Sequence, residues 1–338
     1  MFHFPPPHDS DRFIDHLTSV DLFVIAFSFF YIAISIVFAS RVDEAVVITN
    51  AGIGILIILA VCYIRSLTDR KSANIIHAFY IAPVIPIYFK LSEQLSFPIH
   101  NRDYDDILIY IDRMMFGVDP TVWLFNTLPV VPYFIEFIQL CYSSFYFFPI
   151  MLGVEMYRRR IKRDPLHHFH DETYDELETL RFVTVYGFCL SYVGYILLPS
   201  VGPRFFLHNF WSISHELPGL LFTEPLRMLT NSGENIQPGM SHLEAYRVVT
   251  RDAFPSGHTM MTLTTMILAF KFKAKVRHTI LIMGSALIFA TVYLRYHYVA
   301  DLIGGALFAM ITLYTWEPLS DFFYAMREKL RRKILPQK

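Results

Sequence analysis

Residues 278–316 read HTILIMGSALIFATVYLRYHYVADLIGGALFAMITLYTW, two apolar runs joined by a short polar turn. A helix needs ~20 mostly apolar residues to cross a bilayer, and each run approaches that length. The junction carries Arg295, His297 and Asp301 in otherwise apolar surroundings. Ionisable side chains are costly inside a membrane unless they have a partner or a task. The stretch therefore predicts two membrane helices with a functional site where they meet.

The rest of the chain shares this apolar character. Of its 338 residues, 54% are hydrophobic and only 17% are charged, a more apolar composition than that of ordinary soluble domains. We therefore predict an all-α fold, a polytopic membrane helix bundle with about eight transmembrane helices. The predicted spans are Asp21 to Ser40, Val46 to Ile64, Ile75 to Lys90, Pro132 to Tyr157, Thr179 to Pro199, Gly257 to Phe272, His278 to Tyr296 and Val299 to Trp316.

Basic side chains follow every second span, near residues 65–71, 158–163, 271–277 and 327–333. Because short loops rich in Lys and Arg stay in the cytoplasm, these clusters predict that both chain termini are cytoplasmic. The same alternation places the loop 198–254 and the junction of the last two spans on the opposite face. That face would be periplasmic, extracellular or the lumen of an organelle.

Composition also excludes several classes of partner. A net charge of -1 argues against nucleic acid, because binding to a phosphate backbone normally requires a basic surface. Cys62, Cys141 and Cys189 lie in apolar stretches without short spacings, so we expect neither a disulfide framework nor a zinc site. The His-rich cluster at 167–172 is interpreted as a solvated loop. We therefore predict no metal and no cofactor.

Pro255-Ser256-Gly257-His258-Thr259 begins the sixth span. Ser256 can cap the helix, and Gly257 lets the backbone approach an anion, since exposed N–H groups at a helix start bind phosphate oxygens. His258, on the first turn, can then protonate a leaving oxygen. The alternative is a simple helix cap with an interfacial histidine.

His297 and Asp301 are four residues apart, so they share one face if both lie on a helix. The carboxylate can then accept one ring N–H, which fixes the tautomer and leaves the other ring nitrogen as a nucleophile. The alternative is a structural histidine at a helix junction.

Three arginines are candidate phosphate-binding residues, because a guanidinium offers forked donors and stays charged. Arg204 ends the turn that leaves the fifth span, Arg251 precedes the Pro255 turn, and Arg295 ends the seventh span. All three fall on the predicted non-cytoplasmic face. For each, the alternative is an interfacial anchor or a salt-bridge partner.

We divide the chain into three parts. Residues 1–74 form a cytoplasmic N-terminus with two accessory transmembrane helices, 75–316 a catalytic membrane domain, and 317–338 a basic cytoplasmic tail. Within the second part, residues 99–128 mix charged and apolar side chains in a helical alternation suited to the membrane interface. This segment is either part of a lid over the headgroup or a packed connecting helix.

The motifs together resemble a known family. In that order, Gly202-Pro203-Arg204, Pro255-Ser256-Gly257-His258 and His297-x-x-x-Asp301 are similar to the motifs of the type 2 phosphatidic acid phosphatase (PAP2) superfamily. The stretches Ile111-Asp112-Arg113 through Phe116-Gly117 and Tyr296-His297-Tyr298 look closest to its inositol phosphorylceramide synthase-like branch. The resemblance covers residues 101–316 and implies a six-helix PAP2-like core.

By this likeness, His297 would attack phosphorus to form a phosphohistidine, Asp301 would orient it, and His258 would act as general acid. Ser256, Gly257, Arg204 and an additional arginine, Arg295 or Arg251, would hold the phosphate oxygens without a metal. The chain departs from the family pattern in two places. Leu197 stands at the spacing of the family's lysine before Arg204, and Ala290 and Thr291 replace an upstream Ser-Arg pair.

The leading hypothesis is an integral membrane lipid phosphatase or phosphotransferase. Its partners would be the bilayer, a phosphorylated lipid and, for a transferase, a lipid or polyol acceptor. With water as acceptor the enzyme is a phosphatase; with an alcohol it is a headgroup transferase of the inositol phosphorylceramide synthase type. The alternative from another class is a non-catalytic lipid-binding protein or flippase that retains a phosphate pocket.

Overall fold

A computed structural model describes residues 13–67, 71–163 and 175–334 of the chain. These residues form helices and no strand, which confirms the predicted all-α class. Three sequence predictions lie outside the described residues: the extreme N-terminus, the 167–172 loop and the end of the C-terminal tail.

The helices follow one another with short connections. In chain order they are α1 Ser19–Val37, α2 Glu44–Leu67, α3 Lys71–Phe79, α4 Ile81–His100, α5 Asp105–Phe116, α6 Pro120–Thr127, α7 Pro132–Ser143, α8 Phe147–Arg163, α9 Glu176–Leu197, α10 Pro203–Phe206, α11 Ile213–Glu216, α12 Thr223–Gly233, α13 His242–Val248, α14 Gly257–Lys271, α15 Arg277–Tyr293 and α16 Val299–Ile334. Two short 3-10 helices add Phe13–His16 and Phe210–Ser212.

Within the described residues, 5 helices are long and apolar enough to cross a membrane. They are Ser19–Val37, Glu44–Leu67, Ser72–His100, Glu176–Leu197 and Val299–Lys333. Helices α7 and α8 form a pair bent by 56°, which adds a sixth if the pair is one span. By length and composition these helices are compatible with a multi-pass membrane protein, but they do not confirm a count of eight or a six-helix core. Helices α14 and α15, with 15 and 17 residues, are short for a span.

The chain divides into two compact units. The first contains the described parts of Met1–Leu91, Gly153–Tyr186 and Leu313–Lys338, and the second contains Ser92–Leu152 and Gly187–Thr312. Both units are discontinuous in sequence, whereas the three parts expected from the sequence are continuous. Every candidate site residue lies in the second unit.

A buried apolar cluster lies at the centre of the second unit. It joins side chains of α7, the 198–254 loop and the end of α15, including Ile135, Tyr142, Phe205, Leu217 and Tyr293. The 198–254 loop is therefore folded, with its own short helices and its own share of the core. This cluster supports the turns that carry the candidate site residues.

Candidate active site

His297 and Asp301 form the hydrogen-bonded pair that their spacing predicts. His297 Nδ1 lies 3.2 Å from Asp301 Oδ2, and the backbone N–H of Tyr298 donates to the same oxygen over 2.9 Å. Asp301 is fully buried and His297 is 4% exposed. A carboxylate that accepts from Nδ1 leaves the lone pair of Nε2 available as a nucleophile.

The imidazole of His258 faces Nε2 of His297. Its Nδ1 lies 3.4 Å from Nε2 of His297. The imidazole of His258 is held between two aromatic rings, with centroids 4.6 Å from Tyr142 and 4.4 Å from Phe145. Nitrogens at hydrogen-bond distance leave no space for a phosphorus atom between them, so the two imidazoles must separate when a phosphate binds.

Tyr142 extends the aromatic stack to the histidine turn. Its ring stacks on that of Tyr296 at 4.1 Å with an angle of 9°, and Tyr296 directly precedes His297. The guanidinium of Arg204 lies 4.7 Å from the centre of the Tyr296 ring. The stack therefore links Arg204, both histidines and the core of the second unit.

The start of α14 packs against the start of α16. Ser256 caps α14 by accepting a hydrogen bond from the backbone N–H of Thr259 at 3.2 Å, and its own N–H donates to the carbonyl of Asp301 at 3.0 Å. A Cβ at Gly257 would lie 2.4 Å from the hydroxyl of Tyr195, so a larger residue does not fit there. Both residues thus lie beside the pair formed by His297 and Asp301.

The turn before Arg204 packs against the histidine turn because of one glycine. Gly202 has φ +99, and a Cβ there would lie 2.6 Å from the carbonyl oxygen of Tyr296. The backbone of Ser200 accepts from the N–H of Ala253 at 3.0 Å. The structure therefore brings Arg204 beside the histidines, where it forms an ion pair with Glu234.

The other two arginines have different partners. Arg295, fully buried with φ 69, forms an ion pair with Glu216 and lies 4.4 Å from the ring centre of Phe125. Arg251 forms an ion pair with Asp103 at 3.2 Å. Both match the salt-bridge alternative.

Asp105 is a site residue that sequence reasoning missed. Its carboxylate accepts from the backbone N–H groups of Val201 at 3.0 Å and Gly202 at 2.8 Å, and from the hydroxyl of Tyr298 at 3.0 Å. Burial raises the pKa of Asp105 to about 7, although the hydrogen bonds from Val201 and Gly202 oppose the shift. One side chain thus holds both the Arg204 turn and the His297 turn.

The carboxylate of Asp112 holds the start of α16 through backbone hydrogen bonds. It accepts from the backbone N–H groups of Val299 at 3.0 Å and Ala300 at 2.8 Å, which are free donors at a helix N-terminus. The opposite face of α5 is apolar and exposed, with Tyr110 at 63% and Met114 at 67%. Helix α5 therefore supports the site from one side, which matches the packed connecting helix rather than the lid. Asp105 and Asp112 are seven residues apart, which places both on one face of helix α5. This spacing was the feature of the sequence that could have identified them as a pair.

Burial and nearby charges determine the protonation of His297. The pKa of this imidazole is lowered to about 4, chiefly by burial; the negative charge of Asp252 opposes the shift, and the positive charge of Arg204 contributes to it. At neutral pH the ring is therefore unprotonated, as a nucleophile must be. Asp252 was also missed; burial raises its pKa to about 6.

Two cavities in the second unit adjoin the site. One of about 460 Å³ begins at Arg204 and Tyr296 and has a mixed lining, with polar side chains such as Arg227 and Asn231 and apolar ones such as Phe210 and Met228. An apolar groove of about 620 Å³ lies along Trp123, Phe289, Val299 and Leu302. The first offers both charged and apolar contacts to a ligand, and the second suits an acyl chain.

A second buried group of ionisable residues lies in the first unit. Asp21, Cys62 and His77 offer ligand atoms within 4.8 Å of one another. The carboxylate of Asp21 already lies 3.1 Å from His77 Nε2 and accepts from the hydroxyl of Tyr80, while the guanidinium of Arg181 lies 3.8 Å away. Because the oxygens are occupied and a positive charge is adjacent, we interpret the group as a buried polar network.

Comparison with known proteins gives one match. The profile of a family described as the PAP2 superfamily matches residues 106–315, which is more than half of the chain. Neither the curated proteins nor the solved structures gave a match. Members of this superfamily are in general phosphoric ester hydrolases and phosphotransferases. The matched segment contains Arg204, Ser256, His258, His297 and Asp301 but begins just after Asp105, and the chain belongs to the PAP2 superfamily.

Proposed function

We propose that the protein is an integral membrane lipid phosphatase or phosphotransferase that works through a phosphohistidine on His297. The observation that carries the proposal is the buried line from Asp301 through His297 to His258, with nitrogen-to-oxygen and nitrogen-to-nitrogen distances of 3.2 and 3.4 Å. A structural histidine does not need an oriented free nitrogen that faces a second imidazole.

The first step transfers the phosphorus to the enzyme. The lone pair of His297 Nε2 attacks phosphorus, the bond from phosphorus to the ester oxygen breaks, and protonated His258 gives its proton to that oxygen. Asp301 stabilises the positive charge of the phosphorylated ring. Arg204 and the N–H groups at the start of α14 hold the other phosphate oxygens.

The second step releases the phosphorus to an acceptor. His258 now takes the proton of an acceptor O–H, the acceptor oxygen attacks phosphorus, and the bond to His297 breaks. Water as acceptor gives a phosphatase. The cavity beside Arg204, which has Arg227, Asn231 and Ser232 in its lining, supports a second candidate, a headgroup transferase of the inositol phosphorylceramide synthase type with a lipid or polyol acceptor. In either case we propose that the site opens to the non-cytoplasmic face.

The nucleophile is tested in detergent-purified protein supplied with lipid phosphates and phospholipid donors, with and without alcohol acceptors. We expect His297→Ala to lose turnover and acid-labile phosphoenzyme together. His278→Ala, which changes an exposed histidine on α15, is the matched control and should behave as the parent chain. Turnover by His297→Ala as fast as by the parent would overturn the nucleophile assignment, whereas a parent chain that turns over none of these substrates would favour a non-catalytic lipid-binding protein or flippase.

A further inference from the structure

The ion pair between Arg204 and Glu234 lies at the edge of the proposed phosphate site. Arg204 is 5% exposed and Glu234 is 13% exposed by side chain. Glu234 is fixed where α12 ends, because its backbone N–H donates to the carbonyl oxygens of Thr230 and Asn231 at 3.1 Å. The carboxylate therefore occupies one donor of the arginine that is expected to hold phosphate.

The other candidate arginines do not replace the positive charge of Arg204 that Glu234 neutralises. Arg295 and Arg251 have their own carboxylate partners. Leu197, at the spacing of the family's lysine, carries no charge and is 59% exposed. Asp252 adds a further acidic group whose charge acts on His297. Beside His297, the charge of Arg204 is thus set against those of Glu234, Asp252 and Asp301, and Arg227 in the same cavity is paired with Glu224.

Phosphate groups differ in the charge that such a site must accept. A phosphomonoester carries close to two negative charges at neutral pH because its second pKa is about 6, whereas a phosphodiester carries one. Each additional negative charge beside Glu234 is repelled, and burial strengthens the repulsion because the local dielectric constant is low.

We propose that Glu234 is a specificity-determining residue that makes the site favour a phosphate with one negative charge over a phosphate with two. This inference rests on the proposed function, since it concerns the same phosphate site. The favoured substrate class is a lipid phosphodiester. Its headgroup would occupy the 460 Å³ cavity, which Asn231 and Ser232 line from the same helix end that carries Glu234.

Anion binding tests the proposal without turnover. The full chain in detergent is titrated at about pH 8 with inorganic phosphate, mostly a dianion, and with dimethyl phosphate, a monoanion. We expect Glu234→Gln to raise the affinity for inorganic phosphate, relative to dimethyl phosphate, by about tenfold or more. Glu234→Asp, which keeps the charge, should retain the parent preference.

Glu216→Gln is the matched control, because it removes the same charge from the partner of Arg295 and should leave the ratio of affinities unchanged. An equal ratio in the parent chain and Glu234→Gln overturns the proposal, as does a parent chain that binds neither anion. Loss of the preference in Glu234→Gln supports it even if no substrate is turned over. An unchanged ratio would not contradict the phosphohistidine mechanism, which the His297→Ala variant tests separately.

Discussion

The hydroxyl of Tyr298 donates a hydrogen bond to the carboxylate of Asp105 over 3.0 Å, which joins the histidine turn to helix α5. The same carboxylate holds the two backbone N–H groups before the Arg204 turn. Two pieces of the site that are distant in sequence are therefore positioned by one side chain from a third segment. Small displacements of either piece would move Arg204 relative to His297.

Replacing Asp105 with Asn should separate these pieces. The amide keeps only one acceptor oxygen, so at least one buried backbone N–H loses its partner at a cost of about 1–3 kcal/mol in the free energy of unfolding. Turnover should fall by about 100-fold, since displacements near 1 Å have effects of that size. Thermal unfolding and kcat are the measurements. Asp106→Asn changes the neighbouring, exposed carboxylate and should alter neither.

The ring of Tyr142 should matter more than its hydroxyl. Tyr142→Phe keeps the stacking on His258 and Tyr296 and should retain most of the turnover. Tyr142→Ala leaves a cavity under both rings and should lower the free energy of unfolding by about 3–5 kcal/mol, with a larger loss of kcat than of substrate affinity. Tyr133→Ala, on an exposed ring, is the control. Equal kcat values for the Phe and Ala variants would contradict a role for the stack.

The lowered pKa of His297 predicts how stability depends on pH. Because the pKa is about 4 in the folded chain and near 6.5 when unfolded, the unfolded chain binds more protons between these values. The neutral ring of His297 therefore makes its full contribution to the free energy of unfolding above pH 6.5, and this contribution is lost as the pH falls toward 4. At 1.36 kcal/mol for each pKa unit, the loss is roughly 3 kcal/mol. The difference in unfolding free energy between the parent and His297→Gln, measured at several pH values, should therefore shrink by this amount on acidification. A constant difference would show that the ring titrates normally.

Cysteine labelling tests the orientation. The native Cys62, Cys141 and Cys189 are buried, so background reaction should be low. Leu221, in the 198–254 loop, is 76% exposed, so Leu221→Cys should react with an impermeant reagent from the non-cytoplasmic side. Lys329→Cys, exposed in α16, should react only from the cytoplasm. The reverse pattern would invert the proposed topology.

Local features of the fold followed directly from the sequence, whereas helix ends inside the protein did not. Helix α14 begins at Gly257 and α16 at Val299, where the cap and the polar turn predict them. The third span was expected to end at Lys90, but the helix continues to His100. Beyond Lys90 it buries small polar side chains such as Ser92 and Ser96, which a hydropathy pattern does not recognise as buried.

The same distinction applies to the site. The pairing of His297 with Asp301 depends on a spacing of four, which the helix period translates into contact. The partners of the arginines are remote in sequence: Glu234 follows Arg204 by 30 residues, and Glu216 precedes Arg295 by 79. Only the fold of the 198–254 loop brings these pairs together. The sequence therefore predicted that His297 and Asp301 lie together, but not that all three candidate arginines have carboxylate partners.

The aromatic rings around His258 should also change its NMR chemical shifts. Protons of an imidazole that lies between two aromatic faces, here Tyr142 and Phe145, experience the ring currents of both and resonate upfield. A phosphate that separates the two imidazoles would draw His258 along these faces and change that shielding. The resonances of one labelled histidine would then report occupancy of the site in the intact membrane protein, with no probe attached.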